Sequence, residues 1–170
     1  LRSYTQWIRQ VSPDRPFMLL LPSGQGYQAS GKAFEEEVRR YEQRLFTDIE
    51  RLKNGRNISR IILAGYSLGA DMSWALLLRN PTYFDGALMM SSRYNYVAPE
   101  RLPLLGKRGA RCYLFSGEKD EEAARLPAAE WAKWQLSKFK VPHRFVVGQD
   151  LGHAALPPEA LPSAFGFLLR

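Results

Sequence analysis

The chain of 170 residues is long enough to bury one substantial hydrophobic core, and its apolar fraction of 45% and charged fraction of 24% exclude a disordered or fibrous protein. No apolar run approaches the roughly 20 residues of a membrane-spanning helix. The net charge of +7 comes from positive residues scattered among acidic ones, and not from a basic block of the kind that binds nucleic acid. We therefore expect one domain over residues 1–170, with no transmembrane segment and no nucleic-acid partner.

The beginning of the chain and its single cysteine say little about the cellular compartment. The sequence starts at Leu1 without a methionine or a signal pattern, which fits a mature secreted or periplasmic form as well as the carboxyl-terminal part of a longer protein. Cys112 lies inside an apolar run and has no second cysteine to pair with. We expect it to be a buried packing residue, and the compartment, cytoplasmic or exported, stays open.

The first part of the chain predicts two helices and one strand. Apolar residues at helical spacing predict a short amphipathic helix over residues 3–11. The continuous apolar run Phe17–Leu21, placed between prolines, predicts a strand covered on both faces. Apolar positions from Phe34 to Leu52 then recur in steps of three and four, which predicts a helix with glutamates in its first turn and an end near Gly55.

The remainder of the chain alternates apolar runs with helical patterns. The four further predicted strands are residues 61–64, 84–90, 111–116 and 143–147. Helices are predicted after residue 67, from about Pro127 to Phe139, and at the end of the chain around Phe165. Five strands separated by helices indicate an α/β fold, a three-layer α/β/α sandwich with a mainly parallel sheet. Ligands of such sheets bind at the carboxyl ends of the strands.

The run Gly65–Gly69 marks a sharp turn between a strand and a helix. Its pattern, G-x-S-x-G, places Ser67 at the apex, exposed above the sheet and at the amino end of the following helix. The glycines leave room where the backbone doubles back. Ser67 is therefore either a nucleophile or a serine that merely caps the helix.

A nucleophilic serine needs a base and an acid, and the loops after the last two strands provide both. Of the two histidines, His143 begins a strand, whereas His153 lies in a loop after that strand, where an imidazole can take the serine proton. The candidates for the acid that orients the imidazole are Asp120, Glu118, Asp150 and Asp71.

Three segments together resemble the α/β-hydrolase superfamily, and within it small esterases of the cutinase or carboxylesterase kind without a cap domain. Gly65–Gly69 resembles the nucleophile elbow of that superfamily, Leu114–Asp120 its acid-bearing strand and loop, and Gly152–Ala154 its histidine loop. The order Ser67, Asp120, His153 is also the order found in that superfamily. The resemblance implies hydrolysis of an ester through an acyl-enzyme, with Asp120 as the acid and no cofactor or metal.

The chain departs from the family pattern before Ser67, where the second oxyanion donor usually lies. The Leu68 N–H is the expected first donor, but no His-Gly pair precedes Ser67. Either the domain is minimal, and Ser23 or Gly24 supplies the second donor beside Ser67, or a strand from an upstream part of the protein supplies it.

The sequence predicts the chemistry more closely than it predicts the substrate. The connection from Met90 to Arg111 is too short for a cap domain, so we expect an open, shallow site for a small or polymer-borne ester, with Tyr27, Tyr66 and Tyr94 as candidate substrate-binding residues. The alternative function is a catalytically inactive, hydrolase-like binding or interaction module. The oligomeric state is left open.

Overall fold

The computed structural model describes residues 17–20, 31–120 and 124–170. The helix predicted over residues 3–11 lies outside the described residues, as does Leu21 at the end of the first predicted strand. The described helices and strands follow in the order α1 (Gly31–Lys53), β1 (Ile62–Tyr66), α2 (Leu68–Arg79), β2 (Gly86–Met90), α3 (Leu102–Arg108), β3 (Arg111–Gly117), α4 (Arg125–Lys138), β4 (His143–Gly148) and α5 (Leu161–Leu168). Single 3-10 turns, Pro99–Arg101 and Pro158–Ala160, lead into α3 and α5.

The four strands form one parallel sheet in the order β1-β2-β3-β4. At the carboxyl end, Tyr66 pairs with Met90 and Met90 pairs with Phe115. The segments that follow β1, β2 and β3 therefore start at the same edge of the sheet, where ligands of parallel sheets bind.

The sheet lies between two helical layers, as the alternating side chains of its central strands require. Ala87 and Met89 of β2 face a core formed with α2 and α4, whereas Leu88 and Met90 face α5. In β3, Cys112 and Tyr113 divide in the same way between the two layers. The predicted three-layer α/β/α arrangement is confirmed, and Cys112 is buried as predicted.

The predicted strand Phe17–Leu21 is not a strand in its described part, so the described sheet has four strands and not five. Residues 17–20 have no regular secondary structure, and Met18 and Leu19 are 43% and 37% exposed. Leu20 packs against the core instead. A short apolar run can bury itself through a few side-chain contacts without joining a ladder, which periodicity alone does not distinguish.

Helix α1 begins earlier than the apolar pattern predicts. It starts at Gly31, so the three glutamates from Glu35 onward lie beyond the first turn, which contains no acidic residue. The predicted interaction of these glutamates with the helix dipole is therefore wrong, because that effect is confined to the first turn. The other end is as predicted, at Lys53.

Helix α3 was not predicted, because its sequence reads as a proline-rich connection. Leu102 and Leu105 are buried at a helical spacing of three residues, and Pro103 stands in the first turn, where a proline fits. Gly109, with a φ of 75°, ends the helix in the left-handed conformation. None of the helices in residues 31–120 and 124–170 has the length and apolar character needed to cross a membrane.

Candidate active site

Ser67 lies at the apex of the turn between β1 and α2. Its backbone has φ 54° and ψ −120°, a conformation that residues other than glycine rarely adopt. The Ser67 N–H donates a hydrogen bond of 2.9 Å to the Met90 carbonyl of the neighbouring strand. Backbone strain of this kind is found preferentially at functional sites, and Ser67 directly follows the last residue of β1.

Gly65 makes the turn possible. A Cβ at Gly65 would lie 2.0 Å from the Gly69 carbonyl oxygen, whereas a Cβ at Gly69 would have nothing within 4 Å. The close approach therefore requires glycine only at Gly65, although both glycines were expected to be needed. Leu68 is the first residue of α2, so its N–H has no partner within the helix.

The structure brings the side chains of Ser67, His153 and Asp120 into one line of contacts. His153 Nε2 is 2.9 Å from Ser67 Oγ, and His153 Nδ1 is 3.1 Å from Asp120 Oδ2. These distances suit the tautomer with its proton on Nδ1, in which the proton faces the carboxylate and Nε2 accepts from the serine hydroxyl. Such an arrangement can move a proton away from Ser67 and return it.

The side chains of Asp120 and His153 differ in their burial. The Asp120 side chain is completely buried, whereas 25% of the His153 side chain is exposed. The second oxygen of the carboxylate, Oδ1, is 3.6 Å from Nη1 of Arg125, a side chain that is itself only 10% exposed. The carboxylate therefore lies between an imidazole and a guanidinium, away from solvent.

Three contacts fix the loop that carries His153 against the ends of β2 and β3. A Cβ at Gly117 would lie 2.0 Å from the Gly152 carbonyl oxygen, so this close approach requires glycine. The Lys119 N–H donates to the Leu151 carbonyl at 2.8 Å, and Ser91 Oγ donates to the Ala154 carbonyl at 2.8 Å. The loop is thus fixed on both sides of His153.

Tyr66, a candidate substrate-binding residue, contacts His153 directly. The two rings are stacked, with centroids 5.0 Å apart and an interplanar angle of 27°. The Tyr66 hydroxyl also donates a hydrogen bond of 3.0 Å to the His153 carbonyl. Tyr66 remains 40% exposed, so part of its ring still faces the open side of the site.

The other carboxylates considered for the acid have partners elsewhere. Asp150 pairs with Lys119 at 2.8 Å, and its side chain is 84% exposed. Glu118 accepts a hydrogen bond from the Asp150 N–H at 3.1 Å. Asp71 is buried in the first turn of α2 and pairs with Arg93 at 2.7 Å.

Several predicted site residues lie elsewhere or outside the described residues. Ser23, Gly24 and Tyr27 belong to the part of the chain that the structure does not describe. Tyr94 is 2% exposed and packs edge-on against the ring of Trp74, with centroids 5.4 Å apart. It therefore does not line an open site, and that prediction is wrong because the side chain belongs to the core.

Ser91, Gly117 and Arg125 are the site residues that sequence reasoning missed. Ser91 and Gly117 stand where β2 and β3 end, so the rule that ligand sites form at strand ends could have drawn attention to them. Arg125 carries no such signal, since its contact with Asp120 depends on how α4 begins. Within residues 17–20, 31–120 and 124–170, no three His, Cys, Asp or Glu side chains come together as a metal site would require.

Solved structures with the same fold are found among esterases and related proteins. SOBER1 from Arabidopsis thaliana superimposes with a TM-score of 0.63 and 18% identity, over 80% of this chain and 65% of that one. An uncharacterized protein from Bacillus cereus ATCC 10987 gives a TM-score of 0.72 at 18% identity, over 98% and 55%. Esterase PE8 gives 0.60 at 25% identity, over 81% and 63%.

These comparisons define the class of fold to which the chain belongs. Neither a protein-family model nor the sequence of a curated protein matches it. The structural likeness shows an α/β-hydrolase fold, as the sequence motifs predicted. The chain spans less than two thirds of the length of each of the three structures, 65%, 55% and 63%.

Proposed function

We propose that the protein is a serine hydrolase that cleaves a carboxylic ester through an acyl-enzyme on Ser67. The observation that carries this proposal is the line of contacts from Ser67 Oγ through His153 to the buried Asp120, 2.9 Å and 3.1 Å long. An imidazole at hydrogen-bond distance from a hydroxyl, oriented by a carboxylate, is the arrangement that activates a serine. That esterase PE8 shares the fold agrees with the proposal.

In the proposed reaction, Ser67 Oγ attacks the ester carbonyl carbon while His153 Nε2 takes the serine proton. The imidazolium that results is stabilised by the Asp120 carboxylate. When the tetrahedral intermediate collapses, the bond to the alcohol breaks and His153 passes the proton to the leaving oxygen. Water then gives a proton to His153 Nε2 and attacks the acyl carbon. When this second tetrahedral intermediate collapses, the bond to Ser67 Oγ breaks and His153 returns the proton to Oγ, which releases the acid and free Ser67.

The negative charge that forms on the carbonyl oxygen needs hydrogen-bond donors. We assign the Leu68 N–H as the first donor, because it is free within α2 and stands at the positive end of that helix. Ser23, Gly24 and a strand from an upstream part of the protein remain the candidates for the second donor. Loss of one oxyanion donor typically costs about 10²- to 10³-fold in kcat, so the identity of the second donor decides how fast the enzyme can be.

The proposal is tested by covalent labelling and by hydrolysis of short p-nitrophenyl esters. We expect a fluorophosphonate probe to modify Ser67 stoichiometrically, and Ser67→Ala to abolish labelling and to lower kcat by about 10⁴-fold or more. His153→Gln should have a comparable effect, whereas the matched variant His143→Gln should leave activity unchanged. His143 lies at the start of β4, and its Nδ1 contacts the Val141 carbonyl at 2.8 Å.

Two outcomes would contradict the proposal. If Ser67→Ala retains the hydrolytic activity of the natural protein, the activity arises elsewhere. If the natural protein is inert to high probe concentrations and to the esters, the alternative is favoured, namely a hydrolase-like module that binds but does not catalyse.

A further inference from the structure

We infer that Tyr66 is a positioning residue for His153, an assignment that rests on the proposed function. Tyr66 makes one polar and one aromatic contact in the site, and both go to His153. The Tyr66 side chain thereby holds the His153 imidazole through stacking and the His153 backbone through a hydrogen bond. The inference concerns the geometry of the base, not the binding of the substrate.

The position of Tyr66 in the chain explains why it can act in this way. Tyr66 is the last residue of β1 and the covalent neighbour of Ser67, whose backbone is tied to Met90. His153 lies in a loop after β4, which is the other edge strand of the described sheet. Contacts from Tyr66 therefore fix the imidazole relative to Ser67 itself, across the width of the sheet.

The hydroxyl and the ring of Tyr66 have separate effects. The hydroxyl, 3.0 Å from the His153 carbonyl oxygen, holds the loop backbone close to the end of β1. The ring, whose plane lies 27° from that of the imidazole, limits rotation of the imidazole about its side-chain bonds. The electron-rich face of the ring also favours the positive charge that His153 acquires when it takes the serine proton.

Among the described residues, the His153 ring is hydrogen-bonded to Asp120 and Ser67 and stacked on Tyr66. A quarter of the His153 side chain is exposed, and the hydrogen bond that Nδ1 donates to Asp120 Oδ2 still allows the ring to pivot about that contact. A misplacement of about 1 Å between reacting groups can cost about 100-fold in rate. A stacked neighbour is therefore a direct means to keep Nε2 at 2.9 Å from Ser67 Oγ.

The test compares Tyr66→Leu, which removes both contacts, with Tyr66→Phe, which keeps the ring and removes the hydroxyl. We expect Tyr66→Leu to lower kcat by about 3- to 10-fold or more, with little change in KM. Tyr66→Phe should lower kcat by less, about 2- to 5-fold, and so restore part of what the leucine variant loses. Rates of fluorophosphonate labelling should fall in the same order as kcat. The loss in kcat should be similar for acetyl and butyryl p-nitrophenyl esters.

A spectroscopic measurement makes the test independent of activity. The chain has two histidines, so His143→Gln identifies the imidazole signals of His153 in protein carrying isotope-labelled histidine. We expect Tyr66→Leu to move the His153 ring signals through loss of the Tyr66 ring current, and Tyr66→Phe to leave them close to their original position. Trp134→Leu, at an aromatic side chain that is 56% exposed on α4, is the matched control and should change neither signals nor rates.

The outcomes separate the inference from the function on which it rests. If the natural protein is labelled and Tyr66→Leu reacts at an unchanged rate, or changes only KM, the positioning role is overturned and the hydrolase stands. If the His153 signals do not respond to Tyr66→Leu, the stacking is absent and the inference fails. If the natural protein does not react at all, the proposed function fails, and the role of Tyr66 in catalysis fails with it.

Thermal unfolding of each variant identifies a leucine variant that does not fold. In that case the phenylalanine variant must show the slower kcat at unchanged KM.

Discussion

The guanidinium of Arg125 lies 3.6 Å from Oδ1 of Asp120, the carboxylate oxygen that does not face His153. The Asp120 side chain is fully buried and that of Arg125 is 10% exposed, so neither charge is solvated as it would be in the unfolded chain. A buried carboxylate without a nearby cation is costly. Arg125 thus compensates the charge that the proposed reaction needs beside His153.

Replacement of Arg125 by methionine should therefore destabilise the protein. We expect the free energy of unfolding in urea to fall by about 3 kcal/mol, because removal of one partner leaves the other charge buried. Arg125→Lys, which keeps the positive charge, should lose less. A methionine variant as stable as the natural protein would show that the Asp120 charge is compensated in another way.

The identity of the acid is tested by a pair of aspartate variants. Asp120→Asn should lower kcat by about 10⁴-fold, since the amide favours the wrong imidazole tautomer. Asp150→Asn is the matched control, because Asp150 is close in sequence to His153 but pairs with Lys119 in solvent. We expect its activity on p-nitrophenyl acetate to be unchanged. Equal losses in the two variants would contradict the assignment of Asp120.

The two glycines that flank Ser67 should respond differently to alanine. Gly65→Ala places a Cβ 2.0 Å from the Gly69 carbonyl oxygen, so we expect a loss of at least about 2 kcal/mol in the free energy of unfolding. Gly69→Ala meets nothing within 4 Å and should be as stable as the natural protein or more stable, since alanine is the better helix former. Urea denaturation of both variants measures the difference, and comparable losses would mean that the turn relaxes easily.

The lowered pKa of Glu42 predicts how one part of the free energy of unfolding depends on pH. Burial alone would raise the pKa of Glu42, but hydrogen bonds from Arg79 and Asn80 outweigh it and hold the pKa below its usual value. Because the pKa is lower in the folded state, the stabilisation is present above about pH 4.3, the pKa of an unfolded glutamate. It is lost as the pH falls through the lower, folded-state pKa.

We therefore expect Glu42→Gln to cost about 1–2 kcal/mol at neutral pH and almost nothing in acid. Urea denaturation of the variant and of the natural protein, from neutral pH to acid, checks the direction of this change. Glu35→Gln is the control on the same helix, because Glu35 pairs with Arg39 at 3.8 Å in solvent. A cost for Glu42→Gln that grows as the pH falls would contradict the argument.

Cys112 should not react with thiol reagents while the protein is folded. The side chain is buried, and burial raises the pKa of the Cys112 thiol to about 12. The thiolate, which is the reactive form, is then about one part in 10⁴ at about pH 8. Titration with a chromogenic disulfide should detect the thiol only in concentrated urea, and a fast reaction of the folded protein would show that the strand opens.

The order of helices and strands follows from local pattern, and the sequence therefore predicts most of it. β2, β3 and α4 lie close to where their apolar residues and prolines predict them, because a buried strand or an amphipathic helix must repeat at a fixed period. Residues 17–20 and α3 are the exceptions. The first is apolar without joining the sheet, and the second is a helix in spite of its prolines.

The sequence by itself determined which residue types are available for chemistry: a serine in a glycine turn, one loop histidine and several carboxylates. Only the tertiary structure decided which of these meet. The parallel register brings the segments after the strands to one edge, where Asp120 reaches His153 and Asp71 instead pairs with Arg93. It also put Tyr66 against His153 and Tyr94 in the core. These contacts join residues between 22 and 87 positions apart. They depend on the packing of the whole sheet, and no local pattern records them.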